Sequence, residues 1–283
     1  SLSDLGAVKG IGGGNFPAMA VQGQYVAAAS YSNGILHIFD TKKPFNGGYG
    51  DQPNPWEVAV WSKDIARPRA CIAHPDGHTV LMAGFAGYGL SGGGMGMYDL
   101  STKKTTLFTH NDLIPNESTI AMRALPNGNI ICGTSVEAPG GGRKYSTSAT
   151  LYIFDWKTKK VIFKIKPLPS TREIISLELG ADGMVYGLGS DSKLFVFNPN
   201  VQKVIYYSNL AQYGSVPRQA LVSAAGKLYA LLTKALLSIE PNTYKVIKET
   251  DMPDNVTIGA VYADEQLYFA RGSHLWSYDL KLK

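Results

Sequence analysis

One motif recurs six times and constrains the fold more than anything else in the sequence: an apolar alternating strand, an acidic residue or Asn, a short turn, a lysine and a second strand. It reads Leu36-His37-Ile38-Phe39-Asp40-Thr41-Lys42-Lys43, then Met97-Tyr98-Asp99-Leu100-Ser101-Thr102-Lys103-Lys104, then Leu151-Tyr152-Ile153-Phe154-Asp155 to Lys160. It returns as Leu194-Phe195-Val196-Phe197-Asn198 to Lys203, Leu237-Ser238-Ile239-Glu240 to Lys245, and Leu275-Trp276-Ser277-Tyr278-Asp279 to Lys281. The marker positions 40, 99, 155, 198, 240 and 279 are 59, 56, 43, 42 and 39 residues apart. That is within or just above the roughly 40–50-residue period of propeller blades. The expectation is an all-β chain, one β-propeller domain over residues 1–283, with six blades of four antiparallel strands.

The hairpins set the blades. His74-Pro75-Asp76-Gly77, Pro126-Asn127-Gly128, Ala181-Asp182-Gly183 and Ala224-Ala225-Gly226 read as turns between first and second strands, because tight hairpin turns need positive backbone dihedrals. With these as anchors the blades run 15–64, 65–112, 113–168, 169–212, 213–252 and 253–283. The last holds only three strands, so its outermost strand is expected from Leu5 to Ile11, beside Leu275 to Leu280, which removes an open edge. Seven blades is the alternative, if 41–64 hides further strands. WD-type signatures are missing: Trp56, Trp61, Trp156 and Trp276 do not recur at one blade position before an Asp.

Composition removes several classes. Apolar residues at 45% and charged ones at 17% supply a core and argue against disorder. A net charge of +5, with the lysines mostly in the repeated turn and no basic run interleaved with aromatics, argues against nucleic acid. No apolar run is long enough to span a bilayer, and no signal-peptide pattern opens the sequence. Cys71 and Cys132 fall in neighbouring blades as buried free thiols, with a disulfide the alternative. Asn116-Glu117-Ser118 and Asn255-Val256-Thr257 match a glycosylation sequon too short to fix a compartment. No metal-ligand spacing and no cofactor motif occurs, and Asp112, Glu117 and Asp191 are too scattered for a calcium loop. Oligomeric state is left open.

Loop length points to a site. Most loops between second and third strands are short: Ser32-Asn33-Gly34, Ser190-Asp191-Ser192, Thr233-Lys234 and Gly272-Ser273-His274. In the second blade the loop runs from Phe85 through Tyr88 to Gly94, and in the third from Thr134 through Gly140-Gly141-Gly142-Arg143-Lys144-Tyr145 to Ser148. They are expected to form one wall of a cleft at the channel mouth. Neither has the phosphate-loop pattern. Eight residues before the hairpin glycines Gly77 and Gly226 stand Arg69 and Arg218, both expected at that mouth. Arg67, Arg172, His110, Asn111, Glu117, Glu173, Tyr213, Gln219 and Asn255 are placed in the blade connectors. Arginines converging there suit carboxylates or sulfates, and the competing reading makes them braces for neighbouring loops. His37, His74, His78 and His274 read as packing or surface residues. No Ser/His/Asp order and no carboxylate pair at glycosidase spacing emerges.

Arg67-Pro68-Arg69-Ala70, the stretch His74-Pro75-Asp76-Gly77 through Gly87-Tyr88-Gly89 to Gly92-Gly93-Gly94, and Gly133-Thr134-Ser135 through Gly140-Gly141-Gly142 resemble bacterial carbohydrate-active propellers. The nearest are polysaccharide lyases acting on glucuronate-containing chains, and the likeness covers about a third of the sequence. It implies an acidic oligo- or polysaccharide ligand, a secreted or periplasmic location and β-elimination from a uronate. Arg69 and Arg218 would neutralise the carboxylate, with Tyr88, Tyr145 or His110 as base. Those lyases have seven blades and more than one histidine at the cleft, so a binding-only or scaffold propeller within a larger chain is the alternative.

Overall fold

The outermost strands alternate because they bury one face, whereas inner strands such as Thr79–Phe85 are buried on both, and the strands pair as meanders in chain order. In a computed structural model, residues 15–47, 50–252 and 256–280 are described, together with the backbone of strand Leu2–Ala7. The strands fall in six four-stranded sheets, the blades of a β-propeller. Asn15–Gln22, Tyr25–Tyr31, Ile35–Asp40 and Trp56–Val60 make the first. Arg67–Ala73, Thr79–Phe85, Met95–Asp99 and Lys104–Phe108 make the second. Ser118–Ala124, Ile130–Ser135, Leu151–Asp155 and Lys160–Ile165 make the third. The fourth comprises Ile174–Leu179, Val185–Gly189, Lys193–Asn198 and Lys203–Asn209. Leu221–Ala224, Lys227–Leu231, Ala235–Ile239 and Val246–Asp251 form the fifth. Among the described residues of segment 41–55 there is no strand, and the described strands make six blades.

In the sixth sheet Val256–Ala263, Gln266–Arg271 and His274–Asp279 take their fourth strand from the chain start. The clasp is there, at a different register from the one expected: Leu2 pairs with Tyr278 and Ala7 with His274. Pairing thus starts three residues earlier than Leu5, while Val8 to Ile11, like Asn255 and Lys281, lie outside the described residues.

The repeated acidic position is a turn cap. Asp99 Oδ1 accepts the Ser101 amide at 2.8 Å and hydroxyl at 2.6 Å. Asp155 Oδ1 accepts the amide and hydroxyl of Thr158, and Asn198 Oδ1 accepts the Asn200 amide. Four residues after the markers Asp99, Asp155, Asn198 and Glu240 the chain turns left-handed, at Lys103, Lys159, Gln202 and Tyr244, with φ between 53° and 58°. The cap holds that strained turn while the next lysine opens the outer strand.

The strands form two compact units, Gly13–Lys166 with the first three blades, and Ser1–Gly12 with Pro167–Lys283. In the first unit, Leu36, Ile38, Val80 and Met82 pack between the first two sheets, and Leu81, Met95, Met122 and Phe154 between the second and third. In the other, Leu188, Val196, Leu228 and Leu237 fill the space between the fourth and fifth sheets, and Leu231, Leu236, Leu267 and Phe269 that between the fifth and sixth. Each such side chain contributes about 1.5–3 kcal/mol by leaving water. Polar ties add register: Gln22 Nε2 donates to the His74 carbonyl at 2.8 Å, and His74 Nε2 donates to the Gly128 carbonyl at 2.7 Å while its ring stacks on Trp156. Cys71 and Cys132 are free and buried, in separate sheets.

Candidate functional site

The position eight residues before the hairpin glycine has a structural meaning. In the second, third and fourth blades it is an extra residue in the innermost strand: Arg69 between the pairs Pro68–Gly84 and Ala70–Ala83, Ile120 between Thr119–Thr134 and Ala121–Gly133, and Ile175 between Ile174–Gly189 and Ser176–Leu188. Such bulges bend a strand and re-aim one side chain. Arg218 holds the corresponding place in the fifth blade, where its carbonyl accepts the Gly259 amide at 3.2 Å from the sixth. Arg67 and Arg69 are therefore residues of the innermost strand rather than of a connector, because pairing with Phe85 begins at Arg67 itself.

The two long loops are tied together. Gly89 N–H donates to the Gly140 carbonyl at 2.9 Å, and the Ser91 hydroxyl to the Arg143 carbonyl at 2.5 Å. Gly87 N–H reaches the Lys63 carbonyl and Gly94 N–H the Asp64 carbonyl. These approaches need glycine: a Cβ at Gly142 would fall 2.0 Å from the Leu90 carbonyl oxygen, and one at Gly93 1.9 Å from that of Gly84.

Each candidate side chain has a definite place. The Arg67 guanidinium is buried with its centre 4.4 Å from the Tyr88 ring and 6.0 Å from that of Tyr31, and it donates to the Ala86 carbonyl. Arg69 lies over Phe85 at 5.1 Å, and Arg143 over Tyr145 at the same distance. Tyr88 is 75% exposed and Tyr145 58%, on loops that touch one another. His110 packs its ring behind Gly92, and its Nδ1 accepts the Asn116 amide at 2.9 Å, so Nε2 carries the ring proton. Glu117 is buried and accepts the Thr134 hydroxyl.

Arg172, Tyr213 and Arg218 belong to the other unit. Arg172 is exposed just before Ile174, and Tyr213 ends a short 3-10 turn with its ring against the core between the fourth and fifth sheets. Desolvation lowers the Arg218 pKa, with the Glu173 carboxylate acting the other way. Asp112 and Asp191 are spent on Thr109 and on Thr171 and Lys193. Among the described residues no three His, Cys, Asp or Glu side chains come together to hold a metal. No helix of the described residues is long and apolar enough to cross a membrane.

Sequence reasoning missed Tyr31 and Arg143. Tyr31 ends the second strand of its blade as Phe85 does in the next, so the strand alignment alone could have placed it on this edge.

Fold and loop edge together define a six-bladed propeller with an aromatic and cationic loop wall on its second and third blades. The β-propeller domain of Cps50 (Swd1) from Myceliophteria thermophila aligns with a TM-score of 0.66 and 15% identity, covering 94% of this chain and 83% of that one. At that identity the likeness shows the fold. No protein-family model matches the chain, and no curated protein sequence does.

Proposed function

We propose that this propeller is a non-catalytic recognition module that docks a protein segment on the loop edge of its second and third blades. The observation that carries this reading is Tyr88, 75% exposed with its ring packed on the buried Arg67. Leu90 and Tyr145 extend the exposed apolar surface along the same joined loops. Tyrosine and arginine are the residue types that dominate interface energy, and a ring held in place loses little entropy on binding. Of the bases a lyase would use, His110 is otherwise engaged, its Nδ1 taking a backbone amide.

The second reading keeps the acidic glycan. Arg69 beside Phe85 and Arg143 beside Tyr145 set cations next to aromatic planes, which suits a sugar ring bearing a carboxylate. On it Arg69 neutralises the uronate, and Tyr88, Tyr145 or His110 takes the proton. One comparison separates the two: native protein and the Tyr88→Ala/Tyr145→Ala variant are offered a displayed peptide library and a panel of acidic polysaccharides. Peptides bound by the native protein and lost in the variant support the module. New ultraviolet absorbance from unsaturated uronates, abolished in the variant, would replace it with the lyase.

A further inference from the structure

At the opposite end of the strands, where the third strand of each blade turns into the fourth, a cavity of about 660 Å³ opens between the first and second blades. Its size falls within the roughly 300–1,000 Å³ of small-molecule sites. The floor is apolar. Tyr25 and Trp56 meet edge to face with centroids 6.1 Å apart, and Val58, Tyr98 and Leu100 complete it.

One wall is held in place by a single buried side chain. Asn54 accepts the Asp40 amide at 2.9 Å through Oδ1, and its Nδ2 donates to the carbonyls of Asp40, Lys43 and Pro44 at 3.0, 3.1 and 3.0 Å. Asn46 closes the same loop by accepting the Asn54 amide. The backbone that carries Lys43 is therefore held in place before any ligand arrives.

The two lysines set the ligand class. Lys43 and Lys103 line the cavity, and among the described residues neither has an ion-pair partner. The nearby carboxylates are occupied: Asp40 Oδ1 accepts Gln24 Nε2 and the Lys42 amide, and Asp99 Oδ1 accepts from Ser101 and Thr102. Two carboxylates share the lining, Glu57 and Asp40, and Asp40 is turned to Gln24 and the Lys42 amide through Oδ1. We propose that this cleft is a second binding site, for a small aromatic carboxylate whose ring enters against Trp56 and Tyr25 and whose anion meets Lys43 and Lys103. The ring supplies burial and the charge-assisted hydrogen bonds supply selectivity.

Calorimetry with naphthalene-2-carboxylate and with its neutral alcohol, 2-naphthylmethanol, tests the site. The acid should bind at least about tenfold more tightly than the alcohol, and Lys43→Gln/Lys103→Gln should remove that difference, since the charged hydrogen bonds carry it. Trp56→Phe, which keeps an aromatic floor, should weaken both compounds alike, while Tyr88→Ala at the far edge should leave both unchanged. Equal affinity for acid and alcohol, unchanged binding in the double lysine variant, or no binding of the acid to the native protein would overturn the assignment.

Discussion

The Arg67 guanidinium lies 4.4 Å from the centre of the Tyr88 ring and joins the innermost strand of the second blade to an exposed loop. Replacing it with Ala removes a buried cation–π contact and the bond to the Ala86 carbonyl, a loss of about 2 kcal/mol. Arg67→Lys keeps the charge but not the plane that stacks between two rings, so less than half should return. Denaturant melts give the energies, and amide exchange across 86–94 shows whether the loop loosens. A lysine variant as stable as the native protein would mean that charge alone holds the joint.

The capped turns respond to acid. Desolvation pushes the Asp99 pKa up, but the Ser101 hydroxyl, the Thr102 and Ser101 amides and His78 outweigh it and hold it well below the usual carboxylate range. A lowered folded pKa adds stability above the unfolded value near pH 4, and that stability is lost as pH falls through the folded pKa. The ionised oxygen is the stronger acceptor, so Asp99→Asn should cost about 0.5 kcal/mol at neutral pH by losing the charge, and Asp99→Ala about 1 kcal/mol or more by losing the cap as well. Asn198 already does this work in the fourth blade. Urea melts of the two variants at neutral pH give the comparison, and an Asn variant as weak as the Ala one would make the charge the cause.

Both thiols should be silent in the native protein. Burial pushes Cys71 and Cys132 up to about 12, so almost no thiolate exists at neutral pH. A thiol reagent should titrate both groups only after unfolding. Fast reaction of either one in native buffer would reveal local opening of the second or third blade.

Removing residues 1–7 strips the outer strand from Leu275 to Tyr278. The exposed edge and the lost pairing should lower the melting temperature by about 4 °C or more, which corresponds to 1–2 kcal/mol in a protein of this size. Unchanged melting would mean that the clasp adds nothing to stability.

The blades were legible because their signals are local. Gly77, Gly128, Gly183 and Gly226 all take the positive φ their turns require, between 75° and 86°, and an acidic residue or Asn before a lysine marked each outer turn. The joined loops were not legible, since Gly89 and Gly140 meet through backbone and no side chain announces it. Arg67 read as an anion ligand because sequence shows its charge but not the Tyr88 ring that covers it. Asn54, which organises the cleft wall, looks like any loop asparagine, for its four partners are all backbone groups fixed by the fold.

Five sheets are built from contiguous stretches of chain, whereas the sixth unites Leu2–Ala7 with His274–Asp279. During synthesis each of the five can assemble as soon as its own segment emerges, but the sixth must wait until His274–Asp279 has been made, with Leu2–Ala7 idle until then. Loop-closure entropy makes that last pairing the slowest. Moving residues 1–7 to follow Leu280 would make all six sheets sequence-local, and the order in which the molecule completes itself would no longer depend on Leu2–Ala7 finding His274–Asp279.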